Sequence, residues 1–243
     1  VTSSQLISAD YEGSVSLWDV GDGRGHSVAE FEAHDRRIWS AAFCPLKAAQ
    51  FVSGSDDGWV KVWSTQQQNR VAEIEVRANV CAVQWNPISS FELAVGSANH
   101  DVHLYDLRQP SEPTHVFKGH SKAVSYVRYL NSTELVSAST DSTLRMLDTR
   151  RRCSVRTYSG HLNEKNFVGL SSSSDFMACG SETNEVHVYN KNLAKPVARK
   201  VFSHPSGPQD YPPFISSVCW KPDASMLLAA NSEGTIKIFK LTS

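Results

Sequence analysis

The sequence has no run approaching the ~18 consecutive apolar residues of a membrane-spanning helix. Val1 to Asp10 lacks the basic and apolar regions of a secretory signal peptide. Cysteine is scarce and unpatterned. The five residues Cys44, Cys81, Cys153, Cys179 and Cys219 form no CxxC pair and their number is odd, which points to reduced thiols in an intracellular protein rather than to a disulfide framework. Neither charge sign dominates. With 24 Lys plus Arg against 25 Asp plus Glu, the net charge of -1 argues against general binding of nucleic acid, and Arg150-Arg151-Arg152 is too short a basic run to be more than a turn. No Ser-His-Asp spacing, phosphate loop or metal-ligand cluster stands out, so no cofactor is implied and an enzyme is the weakest reading. Long segments of period 3.6 are missing too, which excludes helical and doubly wound folds. What remains is a chain of 243 residues, 40% hydrophobic and 20% charged, ordinary for a soluble globular protein.

One short pattern recurs six times. It reads apolar, polar, apolar, then a large residue: Val15-Ser16-Leu17-Trp18, Val60-Lys61-Val62-Trp63, Val102-His103-Leu104-Tyr105, Leu144-Arg145-Met146-Leu147, Val186-His187-Val188-Tyr189 and Ile236-Lys237-Ile238-Phe239. The final positions are 45, 42, 42, 42 and 50 residues apart. Alternation at period two is the mark of a strand with one buried face. Twelve residues before each final position stands an apolar residue: Leu6, Phe51, Leu93, Leu135, Met177 or Leu227. Polar turns such as Asp56-Asp57-Gly58 separate the two, as a hairpin requires. A further strand is expected earlier in most units, at Trp39 to Phe43, Val80 to Trp85, Val124 to Tyr129, Phe167 to Leu170 and Ile215 to Trp220.

A unit of this length with four short strands, a Gly-His opening and a Trp-Asp close is the WD40 signature. His34, Gly119-His120 and Gly160-His161 supply openings; Trp18-Asp19 is a literal Trp-Asp, with Tyr105-Asp106 and Leu147-Asp148 as near matches. One such unit cannot bury its sheet alone, and radial stacking solves that. The expected fold is therefore all-β: a WD40 β-propeller of about six visible repeats over residues 1–243, part of a seven-bladed ring whose N-terminal blade is missing or incomplete. His34, Ser55, Asp57 and Trp63 are expected to form a hydrogen-bonded chain within a blade, repeated in part by His120 and Asp141. These groups, with His103 and His187, read as structural rather than catalytic. His204 and the stretch Pro205 to Pro213 read as a long surface loop.

In a propeller, the loops leading into the first strand and the turns between the second and third share one rim. Arg36, Arg37, Trp39, Lys122, Glu164, Lys165, Phe167, Tyr11 and His100 all fall there. Aromatic and charged groups around a funnel suit an extended peptide, and the Lys and Arg favour an acidic one. The competing reading is a scaffold propeller for complex assembly with no dedicated peptide slot.

Several strings are more specific than any WD40 consensus. Asp10-Tyr11-Glu12-Gly13, Lys122-Ala123-Val124-Ser125-Tyr126-Val127, Asn163-Glu164-Lys165-Asn166-Phe167-Val168-Gly169-Leu170 and Cys179-Gly180-Ser181-Glu182-Thr183-Asn184-Glu185-Val186 closely resemble the WD40 domain of the constitutive photomorphogenesis ubiquitin ligase and its suppressor-of-phytochrome-A partners, over essentially the whole chain. Glu164 in its string leans towards the ligase, and Ser216-Ser217-Val218-Cys219-Trp220 towards the partners. The resemblance implies a substrate-recognition module of a ubiquitin ligase complex in light signalling, nuclear and cytoplasmic. Such a module binds Val-Pro peptides of transcription factors and photoreceptors through Tyr11, Arg37, Trp39, His100, Lys122, Glu164 and Phe167, and associates with the family's ligase and suppressor proteins. The family's ligase activity belongs to a RING domain, which implies a binding module and no enzyme in this chain. The family's first blade, with a basic residue it contributes, has no counterpart here. Tyr105-Asp106-Leu107-Arg108 and Leu147-Asp148-Thr149-Arg150 resemble the Trp-Asp-x-Arg box of propellers that dock on the cullin-4 adaptor, which makes Arg108 and Arg150 candidate docking residues.

Overall fold

A computed structural model describes residues 4–202 and 212–240. Their regular structure consists of 22 strands in six antiparallel sheets. The first sheet holds β1 (Gln5–Ala9), β2 (Ser14–Asp19) and β3 (His26–Glu32). The second holds β4 (Ile38–Cys44), β5 (Lys47–Ser55), β6 (Trp59–Ser64) and β7 (Asn69–Glu75); the third β8 (Val80–Trp85), β9 (Glu92–Ser97), β10 (Val102–Asp106) and β11 (His115–Phe117). The fourth holds β12 (Val124–Tyr129), β13 (Glu134–Ser139), β14 (Thr143–Asp148) and β15 (Cys153–Ser159). The fifth holds β16 (Leu170–Ser172), β17 (Phe176–Gly180), β18 (Glu185–Asn190) and β19 (Ala198–Val201), and the sixth β20 (Ile215–Trp220), β21 (Met226–Asn231) and β22 (Ile236–Lys240). The strands of each sheet follow chain order, the meander of a propeller blade.

The twelve-residue spacing is the register of the central hairpin. Leu6 faces Trp18, Phe51 faces Trp63, Leu93 faces Tyr105, Leu135 faces Leu147, Met177 faces Tyr189 and Leu227 faces Phe239. Cross-strand pairs of large apolar residues lie within contact of one another, and this pairing holds the register against a slip that would turn the buried face to water.

The chain divides into two compact units, Val1–Gly119 with Ala123–Val127, and His120–Lys122 with Arg128–Ser243. In the first, the face of the second sheet packs Val52, Val60, Val62 and Ile74 with Val80, Val83, Trp85 and Leu93 of the third. A neighbouring cluster joins Val15, Leu17 and Phe31 to Ile38, Phe51 and Trp63. In the second unit, Ala178 and Val186 pack with Phe202, Ile215, Val218, Trp220 and Leu227. Each fully buried Val or Leu contributes roughly 1.5–3 kcal/mol, so stacked sheet faces are the main stabilising term of both units.

Two expectations need correction. Phe167 to Leu170 is not a strand: β16 begins only at Leu170 and is three residues long. Residues 163–166 are drawn instead onto the side chain of Glu182, whose Oε1 accepts the N–H groups of Glu164, Lys165 and Asn166 at 3.0, 2.7 and 2.7 Å. Gly169 then turns with φ +79°, its α-carbon so close to Ser217 and Val218 that a Cβ would lie 2.8 Å from the Val218 nitrogen. The second correction concerns Ser55. His34 Nδ1 meets Asp57 at 2.8 Å, but Nε2 meets Ser53 Oγ at 2.7 Å, and Trp63 Nε1 donates to Ser53 at 3.0 Å. Trp63 faces Phe51, and its ring reaches diagonally to the residue two further along β5, which is Ser53. Ser55 lies at the strand end, where its hydroxyl donates to the Arg36 carbonyl at 3.0 Å. His120 repeats the arrangement with Asp141 at 2.9 Å and Ser137 at 2.8 Å. His204 and most of Pro205 to Pro213 lie outside the described residues.

Candidate functional site

In the first unit, backbone and side-chain bonds tie successive turns together at one end of three consecutive sheets. The Asp10 carboxylate accepts the N–H groups of Glu12, Gly13 and Ser14 at 3.0, 2.9 and 2.8 Å, which fixes the turn that carries Tyr11. Ile38 N–H donates to the Asp10 carbonyl at 3.2 Å, and Asp56 N–H to the Arg37 carbonyl at 3.0 Å. Tyr11 and Arg37 are thereby brought together. The Arg37 guanidinium lies 3.5 Å above the centre of the Tyr11 ring and 4.5 Å from that of Trp39. Trp39 is held in turn by Asp56, which accepts its indole N–H at 2.7 Å and the Asn79 amide at 2.9 Å. Tyr11 remains 67% exposed, so the stack is a surface feature and not a core one. No carboxylate pairs with Arg37 among the described residues, and its Nε–H has no acceptor there. The stack is therefore a rigid aromatic surface beside an uncompensated cation.

His100 stands at the same end of the third sheet. It closes the β9–β10 turn with φ 78°, its N–H donating to Ser97 at 3.3 Å, and Ala98 N–H donates to the Asn79 carbonyl at 2.9 Å. Sequence reasoning selected Tyr11, Arg37, Trp39 and His100, but missed Asp56 and Asn79, which position Trp39. The paired aspartates at 56 and 57 carried the signal: Asp57 serves His34, leaving Asp56 for another donor.

In the second unit, Lys122 leads into β12, its carbonyl accepting the Ser139 hydroxyl at 3.1 Å and its side chain exposed. The Ser142 hydroxyl donates to the Asn163 carbonyl at 3.0 Å and accepts the Asn163 N–H at 2.8 Å, tying the β13–β14 turn to the loop of Glu164 and Phe167. Glu164 is exposed and Phe167 half-buried. Burial would raise the Glu182 carboxyl, but the donors from Asn166, Lys165 and Glu164 outweigh it and hold the group below its ordinary value. The loop is thus clamped on a half-buried anion beneath it.

Arg108 and Arg150 lie at the opposite ends of their strands from these turns. Arg108 grips Asp106 with two nitrogens, Nε at 2.9 Å and Nη2 at 2.5 Å, and lies 5.4 Å from the Phe91 ring. Arg150 is exposed, with its N–H on Asp148 at 2.9 Å; Arg151 N–H shares that acceptor at 2.7 Å, which closes the basic run into a turn. Among the described residues, no group of three or more His, Cys, Asp or Glu is placed to hold a metal ion.

Comparison with known proteins agrees with this architecture. The model of the WD domain, G-beta repeat, matches residues 25–64, that of the nucleolar protein 10-like N-terminal domain residues 45–191, and that of the anaphase-promoting complex subunit 4 WD40 domain residues 168–243. The E3 ubiquitin-protein ligase COP1 of Arabidopsis thaliana is 50% identical over 99% of this chain, and the Protein SUPPRESSOR OF PHYA-105 1 of the same plant 44% identical over 97%. The chain spans 36% and 24% of the lengths of those two relatives. The WD repeat-containing protein RUP2 of Arabidopsis thaliana is 36% identical over 96% of the chain, which spans 67% of that relative. The chain belongs to the WD40 β-propeller proteins, in the family of the COP1 ligases and the SUPPRESSOR OF PHYA-105 proteins.

Proposed function

We propose that this chain is a peptide receptor that presents substrates to a ubiquitin ligase complex in light signalling, by holding Val-Pro segments preceded by acidic residues. The observation that carries this reading is the Tyr11–Arg37–Trp39 stack. A Val-Pro pair is apolar and pre-extended, so it docks on an aromatic surface at small ordering cost. A preceding carboxylate meets the Arg37 guanidinium, which has no carboxylate of its own among the described residues. His100, Lys122, Glu164 and Phe167 enter through the family resemblance. In this reading Lys122 takes acidic residues of the peptide, Phe167 adds apolar surface, and Glu164 accepts a peptide N–H or a basic residue.

The ligase role draws on the relatives, one of which is an E3 ubiquitin-protein ligase. Arg108 and Arg150 are then the contacts for the cullin-4 adaptor, and the bidentate Asp106 clamp holds the Arg108 head in one geometry for that purpose. A receptor so docked acts by proximity, raising the effective concentration of its target beside the ubiquitin-charged enzyme.

Calorimetry with an acidic Val-Pro peptide tests the reading. Binding is expected for the intact chain and is lost with Trp39→Ala or Lys122→Glu. Equal affinity in both variants would replace the receptor with a general scaffold.

A further inference from the structure

The third sheet departs from the hydrogen-bonded pattern of the second and fourth. At an offset of 42 residues from the second sheet, Val76 stands where His34 is, Val95 where Ser53 is, Asn99 where Asp57 is and Tyr105 where Trp63 is. The His–Ser–Asp network is therefore gone, and a cleft of about 530 Å³ opens there between β7 and the loop from Pro110 to Pro113. Its lining includes His103, Tyr105, Glu73, Glu75, Glu112 and Arg77.

Two buried polar side chains in this lining have unused hydrogen-bonding capacity. The Asn99 carbonyl oxygen accepts the Asp101 N–H at 3.1 Å, which turns the Asn99 amide nitrogen towards His103 Nε2 at 3.5 Å. Nε2 is then the acceptor and Nδ1 carries the proton. Nδ1 has no partner among the described residues, although His103 is only 7% exposed. Burial keeps the imidazole neutral by lowering its pKa, against the raising effect of Asp101. Tyr105, 4% exposed, stacks on His103 with ring centres 6.1 Å apart and planes 20° apart. Its hydroxyl bonds to no described residue; burial raises its pKa, with a further push from the Glu112 charge.

The carboxylates are unequally served. Glu73 pairs with Arg70 at 2.7 Å and Glu75 with Arg77 at 3.4 Å, both at exposed side chains. Glu112 has no cation among the described residues. The cleft thus offers an uncompensated anion beside a buried N–H that needs an acceptor and a phenol able to donate to the same one. One kind of group supplies both needs at once: a basic residue in a polypeptide, with a cationic head and a main-chain carbonyl. A bare metal ion or ammonium supplies only the first.

The geometry points to this cleft as a seat for an arginine or lysine of a partner polypeptide, its head on Glu112 and its carbonyl on the His103–Tyr105 pair. This surface is separate from the Tyr11–Arg37–Trp39 stack and does not rest on the peptide-receptor reading. Guanidinium heads suit it best, because they donate to carboxylates in a fixed fork and lie flat on aromatic rings.

The test is titration of acetyl-Gly-Arg-Gly-amide into the isotope-labelled chain, followed by NMR. Saturable shifts are expected at Tyr105, His103 and Glu112, with the lysine peptide acting at the same residues and the glutamate peptide inert. Glu112→Gln, an exposed change that leaves the fold intact, is expected to weaken binding about threefold, and added salt to weaken it further. No saturable shift at these residues, or undiminished binding by Glu112→Gln, would overturn the site. Guanidinium chloride binding as tightly as the peptide would overturn the polypeptide as its occupant. Because Trp39→Ala leaves this cleft untouched, its loss of Val-Pro binding and retention of the arginine peptide separate the two surfaces.

Discussion

The Trp63 indole donates to the Ser53 hydroxyl at 3.0 Å, and the same oxygen meets His34 Nε2 at 2.7 Å. The proton order follows. His34 donates from Nδ1 to Asp57, accepts the Ser53 proton on Nε2, and Ser53 accepts from Trp63. One hydroxyl thus satisfies two buried rings.

Removing that hydroxyl strands both. Ser53→Ala is expected to destabilise the chain by about 2–4 kcal/mol, since each buried orphan costs about 1–3 kcal/mol. Ser55→Ala is expected to cost about 1–2 kcal/mol, because it loses two bonds at a strand end, the donation to the Arg36 carbonyl and the acceptance of the Asp57 N–H, and leaves no buried ring without a partner. Urea unfolding of the two variants checks the ranking, and a larger loss for Ser55→Ala would return the network to the arrangement expected from sequence.

A backbone prediction stands beside it. Gly13 has φ +101°, and a Cβ there would lie 2.1 Å from the His34 carbonyl oxygen. That carbonyl belongs to main chain held by the His34 and Ala33 N–H bonds to the Gly13 carbonyl, at 2.9 and 3.0 Å, so it has little freedom to move. Gly13→Ala is expected to destabilise by more than about 2 kcal/mol and to shift the Tyr11 turn out of its stack on Arg37. Thermal unfolding measures the first effect, and loss of near-ultraviolet dichroism from the Tyr11 and Trp39 rings the second.

The sheets were largely legible in the sequence. Period-two alternation and the constant twelve-residue spacing follow from strand pleat and hairpin closure, which are local, and Leu135 facing Leu147 is their direct result. Tyr11, Arg37 and Trp39 were legible as types at expected turns, though their stacking was not. What escaped depended on partners remote in sequence. Glu182 holds the loop at residues 164–166, just before the segment expected as a strand, from 16 to 18 residues away, and Asp56 and Asn79 orient Trp39 from the β5–β6 turn and the β7–β8 loop. Ser53 and Ser55 share a strand face, so alternation alone could not choose between them. The cleft over Tyr105 arises from four substitutions that are each unremarkable alone.

Thiol reactivity tests the burial pattern. Cys44, Cys81 and Cys179 are buried, while Cys153 and Cys219 are exposed, and all five are free. Burial pushes the Cys81 thiol up to about 12, with a further contribution from Asp56, and burial pushes Cys179 up as well. Thiolate is the reactive form, so both are silent at neutral pH. An aromatic disulfide reagent is expected to modify two cysteines quickly in the native chain and five in denaturant. Fast release of three or more equivalents from the native chain would contradict the packing of β4, β8 or β17.

Acid stability follows from His161. Burial, with a smaller effect of His187, lowers its pKa from 6.5 to about 4. An unfolded His161 takes up its proton near pH 6.5, and the folded one near 4. Between those values the unfolded chain binds more protons, so stability falls as the pH drops through this window; above 6.5 neither state is charged and the effect is flat. The full loss from this residue is on the order of 3 kcal/mol. His34, His103 and His187 are lowered by burial too, and add in the same direction. Asp141 is opposed by burial but held down by its His120 and Thr143 bonds, so it removes further stability at pH values below the ordinary 3.8. Urea midpoints measured from neutral pH down to the ordinary carboxylate range are expected to decline steadily. His161→Asn, which loses the 2.9 Å bond to the Tyr189 hydroxyl, starts from a lower midpoint but declines with a shallower slope. The slope is the diagnostic quantity: an unchanged slope would mean that another group carries the linkage, whatever the variant does to the midpoint itself.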